Sequence, residues 1–530
     1  MTFNGRSQKD AVQESRADAS DRLSETNEDS GDRRGRSSAK GRPFVTDKKK
    51  SKRKLAPGSE ATPSGTPPGS PSVRPSATRR RRRPPRRNIP GLAARAIAAD
   101  CLSEILQRRR AMDAVLDARL ATARLENNSD RALVSHLVRE TLRRLGQLDD
   151  LINHCLERPF ESRGDDTDRA MQALRLGALQ LHFMDVPDHA AISTSVSLVA
   201  KHPHAPIKAM TGLVNAVLRR LSREGAKLIE QQDAALLNTP EWLWADWVRD
   251  YGEDNARAFA ELHQQQPPLD LTVKPGEDRE ALAEALAGAP VGHQSIRLPG
   301  KGRVEALAGY GEGRWWVQDV AATYAVPLLG VKSGDRVLDV CAAPGGKTMQ
   351  LAALGADVTA LDQSWHRLER LKENMERTGL SADPIKDDAR TWTPTRRFDH
   401  ILIDLPCTAT GTLRRHPDGA HIKSGGDVAS ILPIQKAILQ NAARLVKAGG
   451  RCVLALCSLN KHEGEALVAW AKTACPELAL DPLNGDEFPD VAVEIAAAGT
   501  ARVLPTALAG KDGVYPGGND GFFFARFIAQ

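Results

Sequence analysis

Long apolar runs and a dense set of cysteines are both missing from this sequence of 530 residues. No run reaches the roughly 20 apolar residues that a membrane helix needs, and residues 1–6 lack the apolar core of a signal peptide. The seven cysteines are odd in number and widely scattered, unlike those of a small secreted disulfide-bonded protein. These absences argue against a membrane protein and a secreted one, and they predict a cytoplasmic protein with no membrane partner.

Large apolar side chains are almost absent from residues 1–88, which are rich in Ser, Pro, Gly, Arg and Lys. Such a segment cannot bury enough apolar surface to offset the entropy lost on ordering, so we predict a disordered tail. The tail has 23 Lys and Arg against 10 Asp and Glu, a net charge of +13, whereas residues 89–530 have 51 against 57, a net charge of −6. The basic character therefore belongs to the tail, which is either a solvated segment or a non-specific phosphate-binding arm.

The periodicity of apolar residues divides the remaining chain into three parts. Residues 89–225 show helical spacing and predict an all-helical domain, and residues 226–314 mix helical and strand patterns, which predicts a small α+β connector. From residue 315 to 530, short apolar strands alternate with helices, which is typical of a doubly wound, mostly parallel, Rossmann-like α/β sheet. We expect strands at Arg336–Val340, 358–361, 400–404, 451–456 and 521–528, and a helix over 434–446 that Gly449-Gly450 ends.

A cofactor loop follows the first of these strands. Small residues over 342–346 let backbone amides approach a ligand at the start of the next helix, and Lys347 adds a cation. The loop matches neither a dinucleotide nor a P-loop motif. Asp362, at the end of the second strand, can accept both ribose hydroxyls, and Asp388, after the third, can accept from an adenine amine. This order predicts a site for S-adenosyl-L-methionine, an uncharged ribose-adenine group with a sulfonium.

Two cysteines follow the next two strands, in Asp404-Leu405-Pro406-Cys407 and in Leu456-Cys457-Ser458. Methylation of C5 of a pyrimidine needs such a thiol, because C5 of the aromatic ring is a poor nucleophile. A thiolate that adds to C6 makes C5 enamine-like and able to take a methyl group, so covalent catalysis divides one difficult step into easier ones. A hydrogen bond between Asp404 and the ring N3 would stabilise the adduct and select cytosine.

At these residues the chain resembles the bacterial rRNA cytosine-C5 methyltransferases of the Sun/Fmu (RsmB) type. The matching motifs are residues 339–348, 404–411, Arg414-Arg415-His416-Pro417-Asp418, 456–458 and 520–523. The helical segment resembles the RNA-binding fold of the antitermination factor NusB at residues 188–192 and 212–220. The chain departs from the family pattern at Leu456, where threonine is usual, and over residues 460–464, where the family has Pro-Glu-Glu-Asn. The resemblance covers about residues 90–530.

The resemblance implies a role for each site residue. Cys457 is the nucleophile, Cys407 assists release of the methylated base, and Asp404 binds cytosine N3. The implied cofactor contacts come from Cys341, Ala342, Ala343, Pro344, Gly345, Gly346, Lys347, Asp362, Asp388 and Asp404. We expect the substrate to be a cytosine of small-subunit (16S) rRNA lifted out of local structure. We also expect a monomer that needs no metal. Arg414, Arg415 and His416 either contact the RNA backbone or are solvated.

Other functions remain open from the sequence. The catalytic half suits a tRNA or another RNA equally well, although the NusB-like half favours rRNA. A non-catalytic RNA-binding assembly factor is an alternative from another class, distinguished by cofactor binding without methyl transfer. A thiol redox protein that uses Cys407 and Cys457 as a pair would form a reversible disulfide.

Overall fold

A computed structural model describes residues 89–123, 125, 127–158, 165–299, 303–508 and 517–530. The tail that we predict to be disordered lies outside these residues. None of the helices in the described ranges is long and apolar enough to cross a membrane.

The first part of the described chain is helical, as predicted. Its core consists of apolar side chains that recur on the inner helix faces, for example Leu102, Leu148 and Leu174, each fully buried. Asn127 caps the third helix by accepting a hydrogen bond from the Asp130 amide at 2.8 Å. The described residues of this part form α1 (Leu92–Arg108), α2 (Met112–Thr122), α3 (Asn128–Arg143), α4 (Leu145–His154), α5 (Asp165–His182), α6 (Asp188–Ala200), α7 (Ala205–Ala209) and α8 (Thr211–Ile229).

A small α+β part follows, which confirms the mixed pattern. Its helices are α9 (Ala234–Leu237), α10 (Glu241–Tyr251), α11 (Glu253–His263) and α12 (Arg279–Ala285). Its antiparallel sheet has the order β2-β3-β1-β4, with β1 (Leu269–Val273), β2 (Ala289–Val291), β3 (Ser295–Leu298) and β4 (Trp315–Val317). The sequence places the boundary after residue 314, but β4 belongs to this sheet because Trp315 is buried against Leu271 and Ile296.

The last part contains a nine-stranded mixed sheet of order β11-β12-β13-β9-β8-β5-β6-β7, with β10 also paired to β13. Its strands are β5 (Arg336–Val340), β6 (Asp357–Asp362), β7 (Asp383–Lys386), β8 (Phe398–Asp404), β9 (Val446–Leu456), β10 (Leu478–Asp481), β11 (Glu494–Ile495), β12 (Ala501–Val503) and β13 (Phe522–Ala529). Its helices are α13 (Gly346–Ala353), α14 (Trp365–Thr378), α15 (Gly419–Ile422), α16 (Gly425–Leu445) and α17 (Glu465–Ala474).

The sheet is parallel only from β7 to β9, and β13 pairs antiparallel with β9. The parallel strands are buried on both faces, since Leu338 and Val337 pack into two different apolar clusters. This explains why their sequence is continuously apolar. The α/β prediction is confirmed, with more antiparallel pairing at one end than the sequence indicates.

The predicted helix stop at Gly449-Gly450 is wrong. Helix α16 already ends at Leu445, and both glycines lie inside β9. A Cβ at position 450 would stand 2.3 Å from the Asp399 carbonyl oxygen, beside a register shift between β8 and β9. The glycine is therefore required by close strand contact at a bulge and not by a helix end.

Candidate active site

The glycine loop joins β5 to α13 and faces the end of β6. Gly345 has φ of +105°, and a Cβ there would lie 3.0 Å from Cγ of Leu371, so this position favours glycine. At the end of β6 the Asp362 carboxylate accepts hydrogen bonds from the amides of Ala343 at 3.3 Å and Ser364 at 2.9 Å. The loop and the acid that the sequence singles out are therefore held together.

A cavity of about 200 Å³ opens where β5, β6, β8 and β9 end. Five of the predicted site residues line it, together with others that the sequence does not indicate. The lining residues are Cys341, Asp362, Gln363, Arg367, Asp404, Leu405, Pro406, Cys407, Ala409 and Cys457. Carboxyl ends of parallel strands form this edge, which is the usual place for a ligand in an open α/β sheet. Acidic side chains and loop amides beside it suit a nucleoside with a sulfonium better than a phosphate.

Asp388 does not line this cavity. Its carboxylate is bound by Arg390 on the same turn, and hydrogen bonds from Arg390 hold its pKa below the ordinary value. A role in adenine binding stays a prediction for this residue.

Arg367 lines the cavity although no sequence pattern indicates it. Its guanidinium pairs with Asp362 at 3.0 Å and donates to the Ala343 carbonyl oxygen, so it connects the strand-end acid to the glycine loop. It lies in the first turn of α14, where one arginine among several charged residues gives no sequence signal.

Lys347 and Asp404 form an ion pair of 2.8 Å beneath the cavity. Burial lowers the pKa of Lys347, but the Asp404 carboxylate outweighs burial and keeps that pKa above its ordinary value, with a further contribution from a charged Cys457. The ammonium also lies 5.3 Å from the centre of the Phe522 ring. The ammonium of Lys347 is thus held by Asp404 within electrostatic reach of Cys457, and such a cation attracts a thiolate.

The two cysteines approach closely at the cavity wall. Their Sγ atoms are 3.5 Å apart, and both thiols are free. The hydrogen bond with Cys457, together with burial, raises the pKa of Cys407 well above its ordinary value. The Cys407 thiol therefore keeps its proton at neutral pH.

The Glu463 side chain connects the segment that follows Cys407 with the segment that follows Cys457. This carboxylate is fully buried; it accepts from the Thr408 amide at 2.9 Å and from the Ser458 hydroxyl at 2.6 Å, and it also binds the Thr408 hydroxyl. Gln435 donates to the same carboxylate at 3.0 Å. The segment that departs from the family pattern therefore supplies the acid that holds the residues after Cys407 and Cys457 in place.

The structure does not bear out an RNA contact for Arg414. Its side chain is 1% exposed and pairs with Asp319 and with Asp520, so it is neither solvated nor free for phosphate. Arg415 is partly exposed but also pairs with Asp520. His416 stands 3.1 Å from Asp113 of α2. Residues 414–416 therefore form part of the contact between the methyltransferase part and the helical part.

Further hydrogen bonds join the helical part to the methyltransferase part. Asp418 accepts from the Met112 amide, the first of α2, at 2.9 Å. Arg143 of α3 donates to the Arg414 carbonyl oxygen at 2.9 Å, and His421 lies 2.8 Å from the Leu142 carbonyl oxygen. The helical part is therefore packed directly beside the loop that carries Cys407.

The glycine loop, the strand-end acids and the thiol pair on one sheet edge define a Rossmann-like methyltransferase. Two family models match the chain: 16S rRNA methyltransferase RsmB/F at residues 326–528, and the NusB family at residues 92–223. A probable ribosomal RNA small subunit methyltransferase B of Synechocystis sp. is 34% identical over 403 residues, which is 71% of this chain and 88% of the relative. The chain belongs to this RsmB/F family and is an S-adenosylmethionine-dependent RNA methyltransferase.

A second relative agrees with this family assignment, and a solved structure shares the fold. Ribosomal RNA small subunit methyltransferase B of Sodalis glossinidius is 32% identical over 458 residues, covering 82% of this chain and 98% of the relative. The crystal structure of PH0851 aligns with a TM-score of 0.66 and 22% identity, over 83% of this chain and 99% of that one, which shows that the fold is shared.

Proposed function

We propose that this protein methylates C5 of a cytosine in 16S rRNA through a covalent bond between Sγ of Cys457 and C6 of the base. The observation that carries the proposal is the 3.5 Å contact of two thiols in the same cavity as Asp362 and Asp404. S-adenosylmethionine, when bound, supplies the methyl group. The remaining steps are assigned to residues of this chain.

We assign the attack on C6 to Cys457 and the proton-donor role to Cys407. Cys407 keeps its proton because the pKa of its thiol is raised by the hydrogen bond with Cys457 and by burial. A charged Cys457 contributes to the raised pKa of Lys347, which is the electrostatic attraction expected between a thiolate and a nearby ammonium. This supports attack by Cys457 and a donor role for Cys407.

The Cys457 thiolate adds to C6, and the electron pair of the C5–C6 double bond then takes the methyl group at C5 while the bond from methyl to the sulfonium breaks and leaves a neutral thioether. A water molecule takes the C5 proton, which restores the double bond as the S–C6 bond breaks and its electron pair returns to sulfur. A hydrogen bond from the Cys407 thiol stabilises the departing thiolate. The Asp404 carboxylate accepts from the N4 amine or from protonated N3, which favours cytosine.

The test uses the purified full chain, methyl-labelled S-adenosylmethionine and protein-free 16S rRNA, with tRNA as the competing substrate. Bisulfite sequencing then maps the product. We expect label at one cytosine of 16S rRNA. Methyl transfer to tRNA alone would contradict the rRNA assignment and support a tRNA methyltransferase. Cofactor binding with no methyl transfer to either RNA would support a non-catalytic RNA-binding factor.

A further inference from the structure

A second cavity of about 180 Å³ lies beside the cysteine cavity, and Ala409 lines both. One wall comes from the start of α2, with Ala111 and Asp113, and the opposite wall from the methyltransferase part, with Thr412 and Ile422. The cavity is therefore shared by the two parts of the chain, next to the place where the target cytosine would bind. A polymeric substrate with one base at Cys457 must place its neighbouring nucleotides close to Ala409.

The charged groups around this second cavity are already paired with protein groups. Asp113 is held by His416 at 3.1 Å and by Arg139 at 2.7 Å. Lys423 donates to the Thr408 carbonyl oxygen, and Asp418 accepts from the Met112 amide. With its cations engaged and two carboxylates present, the cavity offers little to a phosphate.

Its other contacts suit a flat, uncharged ring. Ala111, Ala409 and Ile422 present apolar surface, and Thr412 adds a hydroxyl. The second carboxylate oxygen of Asp418, Oδ1, is buried and has no hydrogen-bond partner among the described residues. A buried acceptor of this kind is costly unless a donor reaches it, and a small movement of the residues beside it would let an exocyclic amine do so.

We propose that this cavity binds the base of a nucleotide adjacent to the target cytosine. The inference rests on the proposed function, and it makes the start of α2 part of the substrate site. The helical part then contributes to the choice of target beside the reacting base, in addition to any binding of RNA elsewhere.

The experiment combines a change in the protein with a change in the RNA. Ala111→Trp fills the cavity from an exposed position, and Ala114→Trp is the matched control, also exposed on α2 but outside the cavity lining. The RNA is a synthetic fragment with the mapped cytosine, prepared with both neighbours intact or with either neighbour abasic. The measurements are kcat/KM for methyl transfer and the Kd for S-adenosylmethionine.

We expect one abasic neighbour to lower kcat/KM of the unmodified protein by about tenfold, the loss typical of one base–protein contact. Ala111→Trp should cause a similar loss on intact RNA and none on that abasic RNA, because both changes remove the same contact. Ala114→Trp should behave like the unmodified protein throughout.

Indifference of the unmodified protein to both abasic neighbours would overturn the proposal without reference to any variant. Weaker cofactor binding by Ala111→Trp would also overturn it, since the cavity would then belong to the cofactor. Absence of methyl transfer to intact RNA by the unmodified protein is a different result, which contradicts the proposed function itself.

Discussion

Cys407 and Cys457 bring their sulfur atoms to 3.5 Å from each other although they are 50 residues apart in the chain. Parallel pairing of β8 with β9 places Asp404 beside Ala455, so the short segments that follow the two strands meet at the sheet edge. The hydrogen bond with Cys457 and burial raise the pKa of the Cys407 thiol well above its ordinary value, so Cys407 is suited to donate a proton.

The first prediction concerns Glu463. Glu463→Ala would leave the buried Thr408 amide without its acceptor, at a cost of about 1–3 kcal/mol. It would also remove one acceptor from Ser458 and one from Gln435, which keep other partners. We expect a lower unfolding midpoint and at least about tenfold slower single-turnover methyl transfer, with partial recovery in Glu463→Gln, which keeps one acceptor. The exposed Glu477→Gln is the control. A wild-type rate in Glu463→Ala would show that the carboxylate does not position the thiols.

The second prediction concerns the buried cation. Lys347→Met removes the partner of Asp404 and the ammonium near Cys457, so we expect slower attack on C6 and a stability loss of about 1–3 kcal/mol, because Asp404 keeps contact with solvent at the cavity. The rate of methyl transfer from saturating cofactor measures the second effect, with the exposed Lys386→Met as control. Loss of cofactor binding with an unchanged rate at saturation would assign Lys347 to the cofactor alone.

The third prediction is a pH dependence of stability. Burial raises the pKa of Asp339 to about 7, although the hydrogen bond from Thr348 opposes this shift. A carboxyl group whose pKa is higher in the folded state favours folding fully only below its unfolded value of about 4, and this contribution is lost as pH rises to about 7. Asp339→Asn should therefore gain stability relative to the unmodified protein between pH 5 and about 7, by at most about 4 kcal/mol. Parallel urea unfolding curves with a constant difference over that range would contradict the assignment.

The sequence predicts the strands and the thiols because both leave local patterns. Val337 and Leu338 lie on opposite faces of a sheet covered on both sides, so the strand is recognisable as a short apolar run. Cys407 and Cys457 are recognisable because each follows such a run. The NusB-like helices are found for the same reason, since their buried faces repeat at helical spacing.

The positions that sequence patterns do not reveal depend on distant partners. Glu463 reaches Thr408 from 55 residues away, and Arg414 meets Asp319 from 95 residues away, so neither pairing leaves a periodic signal. Arg414 is therefore predicted as a surface residue when it is buried in a charge network. The same holds for Gly450, because a side chain at this position would collide with a carbonyl group on the neighbouring strand.

The most direct test of the account is the covalent RNA complex formed by cysteine variants. Cys407→Ala, Cys457→Ala and the unmodified protein are each incubated with 16S rRNA and S-adenosylmethionine and separated on denaturing gels, where only a covalent complex keeps protein and RNA together. We predict that Cys407→Ala accumulates the complex, because release of the methylated base is slowed, and that Cys457→Ala forms none and transfers no methyl group. Accumulation in Cys457→Ala, or methyl transfer by that variant, would contradict the assignment of Cys457 as the nucleophile.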